Sequence, residues 1–182
     1  MNERAAELIE RLHLRPHPEG GFYVEVHRSS SVVDALDGRP RRAALTSIYF
    51  LLPAGASSRW HRVLSDEVWC HLEGAPIELH LLDAAQPSAH SIALGPVSAH
   101  ARPQHTVPAG VWQAARSGGD YSLAACMVAP GFDFADFAGG HRVTRARAHD
   151  FEDQRLVQDH ALVHLAVGYR AFVGEQADVR GR

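Results

Sequence analysis

Short apolar runs separated by turn-forming residues make up most of the chain up to about residue 137. The runs are rich in β-branched, Leu and aromatic side chains, and Pro or Gly separates many of them: FYVEVHR, AALTSIYFLL, SRWHRV, EVWCHL, PIELHLL, HSIAL, HTVP, VWQAAR and YSLAACMV. Many short strands at close spacing are typical of an antiparallel sandwich or barrel. The long strand–helix alternation that a parallel sheet requires is missing. We therefore predict an all-β, double-sheet domain.

The two ends of the chain carry different patterns. Near the start, Asn2 can cap a helix whose apolar stripe is formed by Leu8, Ile9 and Leu12, and the sequence RPHPEGG ends it. Residues 138–182 are first polar and rich in arginine and then apolar, with a period that favours a helix over a strand. We predict a domain over 1–137 that includes the N-terminal helix, and a C-terminal, helical extension over 138–182.

Composition narrows the function classes. The 182 residues carry a formal net charge of −3, which points neither to nucleic acid nor to an anionic membrane as a partner. All 18 cationic side chains are arginine, which excludes catalysis through a lysine Schiff base. Two cysteines, a charged N-terminus and no apolar run of about 20 residues indicate a cytoplasmic protein with free thiols.

The most informative stretch is GASSRWHRVLSDEVWCHLEG, residues 55–74. Its alternation predicts a hairpin in which His61 and Val63 face one side and Glu67 begins the return strand. An imidazole and a carboxylate then converge on one face of a sheet. Trp69 and His71 have the same parity as Glu67 and are expected on the same face. Downstream, the turn in VPAGVWQ is expected to present Gln113 from another strand.

The spacing of these residues resembles the two motifs of the cupin superfamily. The first motif is matched by Gly55, His61, Glu67 and Gly74, but Val63 stands where the family has a second histidine. In the second motif, Gln113 stands where it has a third. Five segments in order, PHPEGGFYVEVHRS, TSIYFLL, HRVLSDEVW, VPAGVWQ and VAPGFDFADF, are similar to one cupin family, the HPEGG-type or cupin-5-like domain of unknown function.

The resemblance implies a double-stranded β-helix, or jelly roll, that forms homodimers and holds a ligand or a metal inside the barrel. Cupin metal sites use three imidazoles and a carboxylate, and a neutral amide is a poor substitute. We therefore expect no metal cofactor. The alternative is a divalent metal on His61, Glu67 and Gln113, which would give a weak dioxygenase-like enzyme. His71 is a further nitrogen, but it lies about 13 Å along the strand from Glu67.

The function we predict is binding of a small polar or anionic metabolite, such as a sugar or nucleotide, inside the barrel. In the enzymatic version, a metal-independent epimerase or isomerase, His61 is the general acid or base and Glu67 orients it. Arg59, which has the parity of His61, and Gln113 hold the ligand, while Tyr23 and Trp69 line the cavity. The alternative is a non-catalytic sensor or binding module with the same pocket.

Other residues of the resemblance have two interpretations each. Glu19 either closes over the barrel mouth or is a surface turn residue. Tyr49, like Tyr23 and Trp69, either stacks on a ligand or belongs to the core. Phe132 either packs against the pocket or belongs to a hydrophobic plug at the barrel end.

Overall fold

A computed structural model describes residues 1–82 and 89–139 of the chain. Apart from residues 138–139, the predicted helical extension therefore lies outside the described residues. Within the described ranges, the helices are too short to cross a membrane.

One helix precedes the β-rich region. Helix α1 covers Glu3–Arg11, and the side chain of Asn2 accepts hydrogen bonds from the backbone N–H groups of Arg4 and Ala5. The predicted N-cap is confirmed, because an Asn oxygen satisfies donors that the first helical turn cannot pair. Ala5 and Leu8 pack outside the barrel against Leu14, Leu51 and Leu123.

The described strands follow the predicted runs closely. Their bounds are β1 Arg15–Pro16, β2 Phe22–Arg28, β3 Val32–Val33, β4 Arg42–Ala43, β5 Thr46–Pro53, β6 His61–Val63, β7 Asp66–Gly74, β8 Ile77–Leu82, β9 His90–Leu94, β10 Ala101–Arg102, β11 Gln104–Val107, β12 Trp112–Ser117, β13 Tyr121–Ala129 and β14 Phe137–Gly139. A short 3₁₀ helix, η1, covers Phe134–Asp136. The β6–β7 hairpin is confirmed.

Two six-stranded sheets form the barrel. The first has the strand order β1-β2-β5-β13-β7-β11, and the second has the order β10-β9-β8-β12-β6-β14. The pairing is antiparallel throughout except between the short strand β10 and β9. Most neighbours in each sheet, such as β5 and β13 or β12 and β6, are distant in sequence, as the crossed connections of a jelly roll require. The predicted all-β jelly-roll fold is confirmed.

Register decides which side chains point into the barrel. Tyr23 lies opposite Phe50, Cys126 lies opposite Trp69, and all four are buried. Residues directly opposite each other share a face, and successive residues alternate between faces. Tyr49 therefore points outward, where it packs against the cluster under α1. Of the two interpretations of Tyr49, packing in a core holds and stacking on a ligand inside the barrel is corrected; the unbroken apolar run AALTSIYFLL contains no alternation that assigns its faces.

Candidate functional site

His61 and Gln113 come from adjacent strands of the second sheet. They lie opposite each other in the β6–β12 pairing, so both point to the same face. Gln113 is fully buried, whereas the side chain of His61 retains 9% of its exposure. The second sheet therefore places the amide deep inside the barrel and the imidazole nearer to solvent.

The first sheet supplies the partners of Gln113. The indole N–H of Trp69 donates to Oε1 of Gln113 at 2.9 Å, and Nε2 of Gln113 donates to Oε2 of Glu67 at 2.6 Å. An indole can only donate, so the bond from Trp69 fixes which end of the amide faces Glu67. These bonds cross from one sheet to the other, which places Glu67 and Gln113 together as the sequence predicts.

The direct partner of His61 differs from the expectation. Its Nδ1 lies 2.9 Å from Oε2 of Glu19 and 2.8 Å from the backbone carbonyl of Arg59. Both of these oxygens accept, so Nδ1 carries a proton. Glu67 acts on His61 only through its charge. The expectation that Glu67 orients the imidazole is corrected. The orienting contacts come from the carboxylate of Glu19 and the backbone carbonyl of Arg59, while Glu67 accepts a hydrogen bond from Gln113.

These contacts set the protonation of His61. Burial lowers the pKa of His61, but the charge and hydrogen bond of Glu19 and the charge of Glu67 outweigh burial and raise the pKa to about 9. At neutral pH His61 is an imidazolium, with protons on both ring nitrogens. Burial raises the pKa of Glu67, although the charge of His61 and the bond from Gln113 oppose the shift.

A second imidazole, His17, lies in the same region. Its Nδ1 accepts the backbone N–H of Glu19 at 3.1 Å, and its ring packs edge-on against Tyr23 and Phe50. Burial, reinforced by the charge of His61, lowers the pKa of His17 to about 3. The ring is therefore neutral at pH 7, and its proton is on Nε2.

Aromatic side chains enclose the site. Phe137 of β14 stacks on His61 with a centroid distance of 5.8 Å, and Phe132 packs against Phe137. Phe50 packs edge-on against Trp69. Phe132 thus reaches His61 through Phe137, which combines the two interpretations given for this segment. Tyr23 points inward as expected, and the guanidinium of Arg15 lies over its ring.

Two of the proposed ligand-binding side chains lie elsewhere. Arg59 is exposed, and only its backbone contacts the site. Nε2 of His71 lies 3.1 Å from the carbonyl of Ala75, near the end of its own strand. His71 pairs with Ala124, so it shares the face of Trp69 as its parity predicts, but its imidazole bonds the strand end rather than the residues around His61.

Sequence reasoning did not assign a site role to His17, Phe50, Cys126 or Phe137. His17 and Phe137 stand inside the PHPEGG and FDFADF segments, so the motif was a signal for both. The thiol of Cys126 lies against Glu67, and burial raises its pKa well above the usual value. No pattern in YSLAACMV distinguishes this cysteine from an ordinary core residue.

The side chains at the site differ from the metal-binding set of three imidazoles and a carboxylate that the superfamily motif implies. Within residues 1–82 and 89–139, no group of three or more His, Cys, Asp and Glu side chains is arranged to hold one. Val63 is buried where the superfamily motif has an imidazole. His61 is protonated at neutral pH and cannot donate a lone pair until it loses a proton. Gln113 already bonds both Trp69 and Glu67.

Comparisons with known proteins agree with this architecture. The family model described as cupin superfamily (DUF985) matches residues 6–139. The chain belongs to this cupin family. A search of curated proteins gave no match to this cupin.

Solved structures extend the comparison. A hypothetical protein from Leishmania major is 38% identical, with a TM-score of 0.68, over 74% of this cupin and 85% of its own chain. A protein from Shewanella oneidensis is 34% identical, with a TM-score of 0.72, over 84% of this cupin and 96% of its own chain. Oxalate decarboxylase from Bacillus subtilis is 16% identical, with a TM-score of 0.52, over 70% of this cupin and 29% of its own chain, which shows the fold alone.

Proposed function

We propose that this cupin binds a small, uncharged polar metabolite inside the barrel and catalyses an epimerase- or isomerase-like proton transfer without a metal. The observation that carries the proposal is the state of His61. Its Nδ1 is held by Glu19 and by a backbone carbonyl, while no described residue hydrogen-bonds its Nε2. A charged N–H donor in a barrel interior is suited to donate to a ligand oxygen.

Charge balance supports an uncharged ligand over an anionic one. The charge of His61 is already offset by Glu19, at 2.9 Å, and Glu67 adds a second carboxyl group. The buried guanidinium of Arg42 is occupied by Asp136, and the side chain of Arg59 is exposed. A phosphate or carboxylate would therefore find no uncompensated cation among the described residues of the site.

The chemistry we propose uses two groups on one substrate. The Nε2–H of His61 donates a proton to a carbonyl oxygen, and the carboxylate of Glu67 removes a proton from the neighbouring carbon. The electron pair of the broken C–H bond forms the C=C bond of an enol. Water then protonates the carbon on its opposite face while the enol O–H proton returns to His61, which gives the epimer, and protonated Glu67 gives its proton to the hydroxide that is left. Burial raises the pKa of Glu67, which makes its carboxylate the stronger base.

The same residues suit a second candidate function, a metabolite sensor without chemistry. Trp69, Gln113 and Glu67 form a fixed, buried hydrogen-bonded chain. A preorganised chain of this kind contributes to specific binding whether or not a reaction follows. In this version Tyr23, Trp69 and Gln113 line the ligand and His61 only donates a hydrogen bond.

The test begins with a thermal-shift panel of sugars, their phosphate esters and nucleotides. Each ligand that raises the melting temperature is then incubated with the protein in D₂O and followed by ¹H NMR. We expect an uncharged ligand to exchange a carbon-bound hydrogen for deuterium. His61→Asn should slow that exchange by about 10²–10⁴-fold while affinity changes much less.

The control for this test is His100→Asn, which changes an exposed histidine of the 95–100 turn region. Exchange in this variant should match wild type. A ligand that binds tightly and returns without deuterium would contradict catalysis and favour the sensor. Preferential stabilisation by phosphate esters would contradict the charge argument.

We also propose that the protein is a homodimer, because the short edge strands of such barrels often pair between subunits. A location in the cytoplasm is a separate proposal, which is supported by the free thiols of Cys70 and Cys126. Size-exclusion chromatography with light scattering is the check for the assembly. The mass of a single chain at micromolar concentration would contradict it.

A further inference from the structure

Four contacts connect the loop of residues 17–21, the backbone of Arg59 and the imidazole of His61. The Glu19 carboxylate lies 2.9 Å from Nδ1 of His61, and the Glu19 backbone N–H donates to Nδ1 of His17 at 3.1 Å. The Arg59 N–H donates to the Glu19 carbonyl at 2.9 Å, and the Arg59 carbonyl lies 2.8 Å from Nδ1 of His61. One residue, Glu19, therefore ties both imidazoles to the chain that leads into β6.

Two glycines hold this loop in place. Gly20 has φ +108°, and a Cβ there would lie 2.5 Å from the carbonyl oxygen of Ser57. Gly21 has φ +71°, and a Cβ there would lie 2.6 Å from the carbonyl oxygen of Leu51. Only glycine combines a positive φ with so close an approach to another backbone. The pair of glycines thus lets the loop lie against Leu51 of β5 and against Ser57, in the segment that leads into β6.

The contacts give the two imidazoles different roles at Nδ1, which donates in His61 and accepts in His17. Nδ1 of His61 donates, which leaves Nε2 as the atom that can exchange a proton with a ligand. Nδ1 of His17 accepts, which keeps the proton of the neutral ring on Nε2. Both assignments depend on Glu19, one through its side chain and the other through its backbone.

We infer that Glu19 is the positioning carboxylate of His61, and that the 17–21 loop belongs to the reaction centre rather than to the barrel wall. This inference rests on the proposed function of His61. The other groups that face His61 are Glu67 from β7, Gln113 from β12, Phe137 from β14 and His17 from the same loop. Of these, only Glu67 carries a second negative charge, and it is bonded to Gln113 instead.

The test compares Glu19→Gln with Glu67→Gln by ¹⁵N-NMR titration of His61 in the free protein. Glu19→Gln keeps the side-chain shape and removes the negative charge that lies beside Nδ1 of His61. We expect it to lower the pKa of His61 by about one to three units, and we expect Glu67→Gln to lower it by less. Glu25→Gln, whose wild-type carboxylate pairs with Arg28 on the surface, is the matched control and should leave the titration unchanged.

A second variant moves the carboxylate without removing it. Gly20→Ala forces the loop away from Ser57, so the pKa of His61 should fall as in Glu19→Gln. Gly55→Ala is its control, because Gly55 also has a positive φ, +72°, but nothing lies within 4 Å of the added Cβ. Thermal melting checks that each variant is folded.

Two results would overturn the inference: a larger shift in Glu67→Gln than in Glu19→Gln, or an unchanged titration in both loop variants. Failure of the proposed function looks different, because these titrations contain no ligand. A wild-type protein that binds nothing in the panel would leave the Glu19 result unaffected.

Discussion

The protein buries two charged clusters that differ in how fully their hydrogen-bonding groups are paired within the described residues. In one, Asp136 accepts hydrogen bonds from Arg39 and Arg42, and the Asp136 oxygens are 2.8–2.9 Å from three guanidinium nitrogens. In the other, Nδ1 of His61 meets Glu19 while no described residue bonds Nε2. The first cluster is internally satisfied and joins the 37–42 loop to η1. The second leaves one charged donor for something else.

The difference separates a stabilising cluster from a chemical one. A buried charge costs free energy unless its partners satisfy it, so a cluster whose groups are all paired has a structural role. An incomplete cluster holds a proton donor that only a ligand can complete. The two clusters are connected through the chain. Asp136 ends η1, which leads directly into β14, and Phe137 of β14 stacks on His61.

Breaking the saturated cluster should have the largest effect on stability. Asp136→Asn removes the buried negative charge and takes the carboxylate partner from the buried guanidinium of Arg42, whereas Arg39 keeps its contact with Asp37. We expect a loss of about 3–5 kcal/mol in the free energy of unfolding, measured with denaturant. Asp37→Asn, at the exposed end of Arg39, is the control and should cost less than about 1 kcal/mol. Equal losses in the two variants would contradict the distinction between them.

The incomplete cluster should make stability depend on alkaline pH. The pKa of His61 is raised to about 9 from its ordinary value of 6.5, so the contribution of His61 to the free energy of unfolding is complete below pH 6.5 and is lost as pH rises through about 9. The loss across this window should be about 3 kcal/mol. It is measured by denaturant unfolding at several pH values. In His61→Asn the alkaline slope should shrink, whereas His100→Asn should keep it; an equal slope in all three proteins would show that His61 is not the group responsible.

A smaller effect should come from the hydrogen-bonded chain behind the incomplete cluster. Trp69→Phe removes the only indole N–H that donates to Gln113 among the described residues, and it leaves a buried amide oxygen unpaired. The expected cost is about 1–3 kcal/mol in the free energy of unfolding. Trp112→Phe is the matched control, because Trp112 packs against Arg62 and is only partly buried. A Trp112 loss as large as the Trp69 loss would mean that ring packing, not the bond, sets the cost.

Alternation and turn residues were sufficient to predict the strands and the β6–β7 hairpin. They also place His61, Glu67, Trp69 and Gln113 inside the barrel, because each lies in a short strand whose inward face follows from period two. The same rule could not assign Tyr49, which lies in a run without alternation, and it did not show that His71, although on the predicted face, bonds the carbonyl of Ala75 at the end of β7. Where the period is missing or interrupted, the face is decided by packing that the sequence does not display.

The Glu19–His61 contact could not be predicted by periodicity. Glu19 stands in a loop, and its side chain meets a strand that begins more than forty residues later in the sequence. The two glycines after it indicated a sharp turn, but not which backbone the turn approaches. The choice between Glu19 and Glu67 as the partner of His61 required the three-dimensional arrangement of the loop against Ser57 and Arg59.

The most direct test of the account is the ¹⁵N-NMR titration of His61 in the wild-type protein, with the signal assigned by its loss in His61→Asn. The account predicts a midpoint near pH 9, so that the ring is charged and Nε2 carries a proton at neutral pH. A midpoint at or below 6.5 would contradict it, because a neutral ring would leave the barrel without its proton donor.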